Sequence, residues 1–360
     1  MKAKLVNLLP TVSLLLVMTT SAIVADDIVI ERVIGPEILT RYKHPASFTE
    51  LANGDLYLAY YGGSGEYATD TAVYGMRLPT GQKHWTRPVV IADTPFRTDG
   101  NSVVWQAPDA VVWLFYLTRY GQTWSDSRIK FKISRDGANT WSDSDMLGFE
   151  QGTMVRAAPI VLKNGDYLLP IYHETGNDRE IVGADTTSLF FRRDAKTGEW
   201  TETNRVKSRI GNLQPSVVQI TEDYLVAYSR RGGGYEGQED GWLVRSESRD
   251  GGHTWSEGRD SQFPNPNSAT DFIKLQNGHL LLVYNDSKRN RMPLTVSIST
   301  DNDKTYPYKR NVVEKKGDTA AYPFAIQTKD GRIHVLYTSE NRSVINHAVF
   351  DETAILDSKK

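Results

Sequence analysis

Two nearly identical octapeptides, S-R-D-G-A-N-T-W at 134–141 and S-R-D-G-G-H-T-W at 248–255, decide the fold of this chain. Each combines Asp, Gly and Thr, which favour a tight turn, with a terminal aromatic residue. Looser copies end at Trp85, Trp200 and Tyr306, so that successive terminal aromatics are 56, 59, 55 and 51 residues apart. Repetition at such a regular interval indicates a protein built from similar structural units.

A second pattern repeats in phase with the first. Six times a polar turn is followed by an apolar segment that ends in an aromatic residue, as in L-A-N-G-D-L-Y-L-A-Y-Y at 51–61. The turns are 55, 56, 58, 55 and 53 residues apart and are centred on Gly54, Asp109, Gly165, Asp223, Gly278 and Gly331. Hairpin units of this length, with almost no helical periodicity, predict an all-β fold, a six-bladed β-propeller. The alternating segment at 27–34 lies outside the units and is predicted to complete the last blade.

Composition sets the class of protein. The chain has 360 residues, of which 39% are hydrophobic, and a net charge of -2, which gives no reason to expect nucleic acid or an anionic membrane as a partner. Lys2 and Lys4, a mostly apolar run at 5–18 and small residues before Asp26 predict a secretory signal peptide at 1–25. A single propeller domain is expected at 26–360, exported to the periplasm or the cell exterior and acting as a monomer.

No metal-binding pattern stands out in the sequence. There is no cysteine, no H-E-x-x-H and no EF-hand spacing. We therefore expect no cofactor and no metal site of these kinds, and a structural Ca²⁺ bound by loop carboxylates stays open. The repeated Asp and Gly turns, including Asp250 and His253, are interpreted as scaffold, because propeller hairpins need these residues for their backbone geometry.

Chemistry is expected where equivalent positions of the six units differ. The innermost strands converge on the central channel, and they begin about ten residues before each turn, where polar side chains are costly unless a ligand or water uses them. The polar residues at these strand starts include Lys43, His44, Asn101, Arg156, Gln214, Asp271 and Tyr322. The strands after the turns end in a second polar set, which includes Glu66, Asp70, Arg119, Tyr120, His173, Glu174, Arg230, Arg231 and Glu340.

The motifs resemble those of the sialidase superfamily, in its bacterial Asp-box-repeat branch. The resemblance extends over the chain after the signal peptide and rests on Y-K-H-P at 42–45, G-N-L-Q-P-S-V-V at 211–218 and F-P-N-P-N-S-A-T-D-F at 263–272. It implies an enzyme that clamps a sugar carboxylate with three arginines and uses a tyrosine nucleophile, an activating Glu and an Asp acid/base.

The resemblance places these roles on particular residues. The tyrosine is Tyr322, the second arginine is Arg230, and the third lies at Arg289 or Arg291. The first arginine is replaced by Lys43 and the activating Glu by Gln214. The acid/base is Glu66 or Asp70.

The two replacements change the expected chemistry. A lysine cannot make the planar bidentate contact of an arginine with a carboxylate, and a glutamine cannot act as a base toward a phenol. His44 or Glu174 is the expected replacement for the lost base, with His173, Arg156 and Asp271 as further binding residues.

Three functions follow as hypotheses, each with a glycan as partner. The first is an exo-glycoside hydrolase that removes sialic acid or another acidic terminal sugar. The second is a polysaccharide lyase acting on a uronate, with His44 and Tyr322 as acid and base. The third is a non-catalytic glycan-binding propeller, in which aromatic side chains stack on sugars; the candidates are Tyr60, Tyr61, Trp105 and Tyr235.

Overall fold

The computed structural model describes residues 28–38, 40–179, 181–234 and 236–358. Within these residues nearly all regular structure is β-strand, arranged in six separate antiparallel sheets. Five sheets have four strands and one has five. The prediction of a six-bladed β-propeller is therefore confirmed. The predicted signal peptide at 1–25 lies outside the described residues.

The strands follow the chain from the channel outward in each blade, except that the first strand belongs to the last blade. Blade one consists of β2–β5, blade two of β6–β9, blade three of β10–β14, blade four of β15–β18, blade five of β19–β22, and blade six of β23–β25 with β1. The strands are β1 (Val29–Ile34), β2 (Tyr42–Glu50), β3 (Leu56–Gly63), β4 (Ala72–Leu78), β5 (Val89–Ala92), β6 (Thr98–Gln106), β7 (Val112–Arg119), β8 (Ser127–Ser134), β9 (Asp145–Met146), β10 (Thr153–Val155), β11 (Ile160–Val161), β12 (Tyr167–His173), β13 (Thr187–Arg193), β14 (Trp200–Glu202), β15 (Asn212–Gln219), β16 (Leu225–Arg231), β17 (Trp242–Ser248), β18 (Arg259–Pro264), β19 (Asp271–Lys274), β20 (Leu280–Asn285), β21 (Leu294–Ser299), β22 (Tyr308–Val313), β23 (Ala321–Gln327), β24 (Ile333–Ser339) and β25 (Val344–Phe350). A short helix, α1 (Thr353–Leu356), follows β25, and two 3-10 turns lie at Trp124–Asp126 and Glu340–Arg342.

The second strand of each blade forms much of the core. Every residue of β3, β16, β20 and β24 is buried. These strands are covered on both faces by the adjacent blades, which explains why their sequences are mostly apolar and do not alternate between apolar and polar residues. The polar residues at their ends are therefore held on rigid, buried elements.

The ring closes by pairing the two ends of the chain. Strand β1 pairs antiparallel with β25, with Val29 opposite Val349 and Ile34 opposite Ile345. The N-terminal strand thus supplies the outer strand of blade six, as the alternating segment at 27–34 predicts. This pairing covers the edge that β25 would otherwise expose.

The repeated Asp turns make the same hydrogen bonds in three hairpins. The carboxylates of Asp136, Asp250 and Asp301 each accept the hydroxyl of the threonine four residues on, at 2.6, 2.5 and 2.6 Å. Each carboxylate also accepts the backbone amide of that threonine. The bonds lie within one hairpin, which is what a scaffold role requires.

Four inner strands carry a β-bulge near their start. The pairing register shifts at 43–46 in β2, 100–103 in β6, 213–216 in β15 and 321–324 in β23. Within these bulges Asn101, Gln214 and Tyr322 have positive φ values of 42°, 53° and 55°. Such angles are strained for residues other than glycine, and a bulge turns its side chain away from the regular pleat.

No helix in the described part of the chain has the length and apolar character that a membrane crossing requires.

Candidate active site

A small polar cavity lies where the inner strands begin and the second strands end. Its volume is about 30 Å³, which is room for one or two water molecules. The cavity is lined by His44, Tyr61, Glu66, Asn101, Trp124, Tyr172, Glu174, Val182, Leu213, Gln214, Arg230 and Tyr322. The bulged parts of blades one, two, four and six therefore meet at one place in the channel.

A larger cavity of about 510 Å³ opens toward the other ends of the same inner strands. Its walls are mainly apolar, and two of its charged groups are already bound inside the protein. Asp271 accepts the Ser216 hydroxyl at 2.7 Å, and the Lys274 ammonium donates to the carbonyl of Gln219 at 3.1 Å. We take the smaller cavity as the candidate active site, because its convergent polar groups offer chemistry that the larger one lacks.

Tyr322 is the centre of this site. Its side chain is buried, and its phenol oxygen accepts a hydrogen bond from Nη1 of Arg230 at 2.6 Å. The guanidinium carbons of Arg230 and Arg291 lie 5.8 and 5.4 Å from the centre of its ring. Burial would raise the pKa of the Tyr322 phenol, but the charges of Arg230, Arg291 and Arg342 outweigh it and lower that pKa.

Arg342 brings the third positive charge to the site. It lies in the 3-10 turn after β24, and its Nη1 donates to the Tyr42 hydroxyl at 2.9 Å and to the carboxylate of Glu66. Burial would lower the pKa of Arg342, but Tyr42, Glu66 and Tyr322 raise it. The guanidinium therefore stays charged within this partly buried group.

His44 packs directly against Tyr322, with the two ring centres 4.2 Å apart. Its Nδ1 lies 2.7 Å from the Thr338 hydroxyl, whereas its buried Nε2 has no hydrogen-bond partner among the described residues. Burial and the neighbouring arginines, Arg342 foremost, hold the pKa of His44 well below its ordinary value. The ring is therefore neutral near pH 7.

Glu174 is a buried carboxyl in the same cavity. Burial raises its pKa to about 7, with the opposing charge of Arg230 and the like charge of Glu66 as smaller influences. A carboxyl group with this pKa exists in both protonation states near neutral pH, which suits it to transfer protons. Its neighbour His173 points elsewhere, with Nε2 3.5 Å from the carboxylate of Glu150.

Gln214 contacts the nucleophile candidate through an arginine. Its Oε1 accepts a hydrogen bond from Nη1 of Arg230 at 3.1 Å, the same nitrogen that binds the Tyr322 phenol. The amide has no basic group, so it orients Arg230 and cannot deprotonate Tyr322.

Arg156 and Asp271 lie behind Tyr322 and hold its backbone. Nη2 of Arg156 donates to the carbonyls of Tyr322 and Pro323, at 2.7 and 3.0 Å. The carboxylate of Asp271 accepts the amide of Ala325 at 2.6 Å. The buried side chains of Arg156 and Asp271 thus bind backbone groups at and next to the strained bulge, and they hold Tyr322 in position.

We expect Arg156→Met to lower stability and, if Tyr322 acts as a nucleophile, turnover as well. Loss of the guanidinium leaves two buried carbonyls unpaired and Asp271 without its nearest positive charge, a cost of about 3 kcal/mol in the free energy of unfolding. Denaturant unfolding measures that cost, and kcat measured well below the melting temperature reports the displacement of Tyr322. Arg193→Met, which removes an arginine that stacks on Trp113, is the control; equal losses of kcat in both variants would contradict the positioning role.

Residues 54–335 match the BNR repeat-like domain. The chain belongs to this family. The match spans most of the propeller, so the resemblance to the Asp-box-repeat branch is confirmed at the level of family, and the likeness to sialidases is one of fold. No curated protein matches the chain.

Solved structures similar to this BNR repeat-like protein include several sialidases. NanB sialidase from Streptococcus pneumoniae superimposes with a TM-score of 0.73 at 9% identity, covering 91% of this chain and 71% of that one. The Hadza microbial sialidase Hz136 superimposes with a TM-score of 0.72 at 16% identity, covering 88% of this chain and 67% of that one. The intramolecular trans-sialidase from Ruminococcus gnavus superimposes with a TM-score of 0.71 at 13% identity, covering 90% of this chain and 97% of that one. At these identities the similarity establishes a shared fold.

Within this BNR repeat-like fold, Lys43, Asp70 and Arg289 make their contacts away from the cavity. The Lys43 ammonium donates to the carbonyl of Thr40, and Asp70 is exposed and accepts the Ser64 amide at 3.1 Å. Arg289 is 66% exposed and pairs with Glu239, which leaves Arg291 as the arginine next to Tyr322.

The aromatic residues considered for sugar stacking are also dispersed. Tyr60 is fully buried and stacks on Tyr74, and Trp105 packs edge-on against Tyr167. Tyr61 lines the cavity, and Tyr235 lies outside the described residues. No group of three or more metal-ligating side chains occurs among the residues that the structure describes.

Proposed function

We propose that this protein is an exo-acting glycoside hydrolase that removes a terminal acidic sugar, sialic acid or a related sugar acid, from a glycan. The observation that carries the proposal is the buried Tyr322 phenol, bound by Arg230 at 2.6 Å and flanked by Arg291. Positive charge stabilises the phenolate, which is the nucleophilic form of tyrosine. The same arginines offer donors to a sugar carboxylate, so the nucleophile and the anion site coincide.

The reaction has two steps. In the first, the Tyr322 phenolate attacks the anomeric carbon, the bond from that carbon to the glycosidic oxygen breaks, and a carboxylic acid gives its proton to the leaving oxygen. In the second, water attacks the anomeric carbon, the bond to Tyr322 breaks, and the same carboxylate takes a proton from the water. Two inversions at the anomeric carbon give retention of configuration.

Glu174 is the proton donor that the geometry favours over Glu66. Both line the cavity, but the carboxylate of Glu66 is bound to Arg342, whereas burial gives Glu174 a pKa of about 7. Asp70, the other sequence candidate, is exposed and caps the turn at Ser64. A group that is protonated up to neutral pH can act as acid in the first step and as base in the second.

We expect the rate of the first step to fall as pH rises through about 7, because Glu174 then loses the proton that the leaving group needs. Glu174→Gln should remove this limb of the pH profile and lower kcat about 100-fold on a natural glycoside. The loss should be much smaller on an aryl glycoside, whose leaving group needs no proton. Stopped assays over a pH series measure both effects.

Glu66→Gln is the matched variant, since it makes the same chemical change in the same cavity. If Glu66→Gln abolishes the fall in rate above about pH 7 and Glu174→Gln does not, the proton donor is Glu66. In the proposed assignment Glu66→Gln instead tightens the binding of a free sugar acid about fivefold, because Arg342 loses a competing carboxylate.

Substrate entry requires the cavity to open. Its volume of about 30 Å³ is too small for a sugar ring, and the carboxylate of Glu66 occupies Arg342. Glu66 lies in the connection between β3 and β4, at the exposed side of the cavity. A sugar carboxylate that takes the place of Glu66 on Arg342 would displace this segment and enlarge the site.

The experiment that tests the function is an activity screen with purified protein. A panel of glycosides of sialic acids and hexuronic acids is incubated with the protein, and released sugar acids are identified by mass spectrometry. Release of an intact sugar acid by the wild type but not by Tyr322→Phe is the expected result. Retained binding with no release from any member would argue for the non-catalytic glycan-binding function.

One observation favours a second function, a uronate lyase. The unpartnered Nε2 of neutral His44 lies beside Tyr322, and these two side chains could take a proton from the carbon next to the carboxylate and return one to the leaving oxygen. Elimination gives an unsaturated product that is lighter by one water and absorbs in the ultraviolet. Intramolecular transfer, named for the Ruminococcus gnavus protein, also gives a product lighter by one water but no such absorbance. Absorbance therefore separates the two outcomes.

A further inference from the structure

A cluster of positive charge surrounds one exposed aromatic residue in blade two. The charged atoms of Arg97, Arg128 and Lys130 lie 5.7, 5.6 and 5.9 Å from the ring centre of Tyr120. Tyr120 is 38% exposed. We call Arg97, Tyr120, Arg128 and Lys130 the blade-two patch. None of its three cations forms a salt bridge within the described part of the chain.

The contacts of these cations are to neutral groups. Arg97 donates to the Tyr120 carbonyl at 3.1 Å, and Lys130 donates to the Thr94 hydroxyl at 2.9 Å. Arg128 donates to the carbonyl of Phe149 at 3.2 Å. These bonds fix the side chains around the ring without neutralising them. The patch is therefore a preformed site for anionic groups.

The carboxylates nearest in the contact network do not cover the patch. Asp99, which is influenced by the charge of Lys130, is fully buried and bound to Thr118 at 2.5 Å. Asp126 is bound by Gln151 at 2.9 Å and by the Thr123 amide at 3.1 Å. Both carboxylates accept hydrogen bonds from neutral groups of the protein, and neither forms a salt bridge with a cation of the patch among the described residues.

Two strongly exposed phenylalanines flank the patch. Phe96 precedes Arg97 and is 88% exposed, and Phe149, whose carbonyl binds Arg128, is 82% exposed. Aromatic faces beside cations can stack on sugar rings while the cations bind their acidic substituents. Exposed aromatic rings beside cations fit an anionic glycan better than they fit a phosphate backbone. A phosphate backbone needs only positive charge, whereas a sugar ring also needs an aromatic surface on which to stack.

The patch lies close in the chain to a residue of the candidate active site. Tyr120 is four residues from Trp124, which lines the cavity, so their Cα atoms are within about 15 Å. The backbone amide of Tyr120 binds the carbonyl of Asp126 at 3.1 Å, which closes this segment into a compact loop. A glycan whose terminal sugar lies in the cavity needs to extend about 15 Å beyond Trp124 to reach Tyr120.

We infer that the blade-two patch binds the acidic chain of the substrate beyond the terminal sugar, through carboxylate or sulfate groups on successive residues. The direction of the chain rests on the proposed function, whereas the binding of an anionic glycan by the patch does not. The substrate class is thus a polymer or oligomer with repeated negative charges, in contrast to a neutral glycan that carries one acidic end.

Binding is measured without turnover, in a Tyr322→Phe background. The probes are polygalacturonate, which has only carboxylates, dextran sulfate, which has only sulfates, and neutral dextran. The test variant combines Arg97→Ala, Arg128→Ala and Lys130→Ala. The control combines Lys83→Ala, Lys196→Ala and Lys316→Ala, three exposed lysines of other regions, and removes the same net charge.

The expected result is binding of one or both anionic polymers, weakened at least tenfold in the test variant and less than twofold in the control. The salt dependence of binding should also fall in the test variant alone. Neutral dextran should not bind. Preference for one polymer identifies carboxylate or sulfate as the recognised group.

Three outcomes would overturn the inference: unchanged binding in the test variant, equal losses in both triple variants, or equally tight binding of a single-stranded oligonucleotide at the same patch. Hydrolysis of a small aryl glycoside of a sugar acid is measured separately on the chain with Tyr322 intact. If this chain does not hydrolyse the aryl glycoside but the patch still binds the anionic polymer, only the proposed function is rejected. Hydrolysis without patch binding rejects only the present inference.

Discussion

Tyr322→Phe is expected to reduce kcat on a glycoside of an acidic sugar about 1,000-fold or more, because it removes the oxygen that we propose attacks the anomeric carbon. The phenylalanine ring fills nearly the same space, and the hydroxyl lost has one described donor, Arg230. Stability should change by about 1 kcal/mol, the ordinary cost of one buried hydrogen bond. Steady-state kinetics and thermal unfolding of the same preparation measure the two quantities.

Tyr172→Phe is the control for this variant. Tyr172 lines the same cavity, is also buried, and its hydroxyl accepts a hydrogen bond from Asn101 at 2.8 Å. It should keep kcat within about tenfold of the wild type, because its oxygen has no covalent role. Equal losses in the two variants would mean that the cavity needs its hydroxyls for shape and binding only.

Arg291→Ala is expected to lower kcat/KM about 100-fold on acidic sugars. The change removes about 3 kcal/mol of interaction with the sugar carboxylate and with the developing phenolate. Arg291 also lowers the pKa of Tyr322, so its loss should raise that pKa and shift any rate limb due to Tyr322 toward higher pH. The pH dependence of kcat/KM reports both effects.

Arg289→Ala provides the matched comparison two residues away. Arg289 is 66% exposed and paired with Glu239, so its removal should leave kcat/KM within about twofold and the pH profile unmoved. If Arg289→Ala instead gives the larger loss, the arginine that binds the sugar carboxylate is Arg289, and the opened site differs from the arrangement described here.

The propeller was predictable from sequence because its signals are local and repeated. Six turns at intervals of 53 to 58 residues, each followed by a strand, indicate the number of blades. The alternating segment at 27–34 also predicts ring closure, since an unpaired strand of that kind needs a sheet edge.

The positions of the site were easier to predict than its side chains. Strand starts such as those at His44, Gln214 and Tyr322 could be located by counting from the turns, and they line one cavity. The orientation of each residue depends on the bulges, and a change of one position in a strand moves a side chain to the opposite face. Lys43 shows this effect: it precedes the bulge in β2 and binds Thr40, while His44 faces Tyr322.

Arg342 had no comparable signal in the sequence. Its side chain reaches the site from a 3-10 turn, in which Arg342 has a φ of 64°. This position lies two residues beyond Glu340, the last residue of blade six that was considered when residues were counted from the hairpin turn. A longer window after each second strand would have included it. Arg156 and Asp271 illustrate the opposite difficulty, since buried charges at strand starts can serve the backbone of a neighbouring strand as well as a ligand.

The most direct measurement of the central claim is to trap the sugar on the protein. The reagent is a sugar acid that has fluorine beside the anomeric carbon and a good leaving group on that carbon. The fluorine slows both steps because it disfavours positive charge at the anomeric carbon, whereas the leaving group speeds only the first step, so the covalent intermediate accumulates. Peptide mass spectrometry should then find the fluorinated sugar on the peptide that contains Tyr322, and no adduct in Tyr322→Phe. An adduct on Glu66 or Glu174, or an ultraviolet-absorbing product without any adduct, would contradict a tyrosine nucleophile.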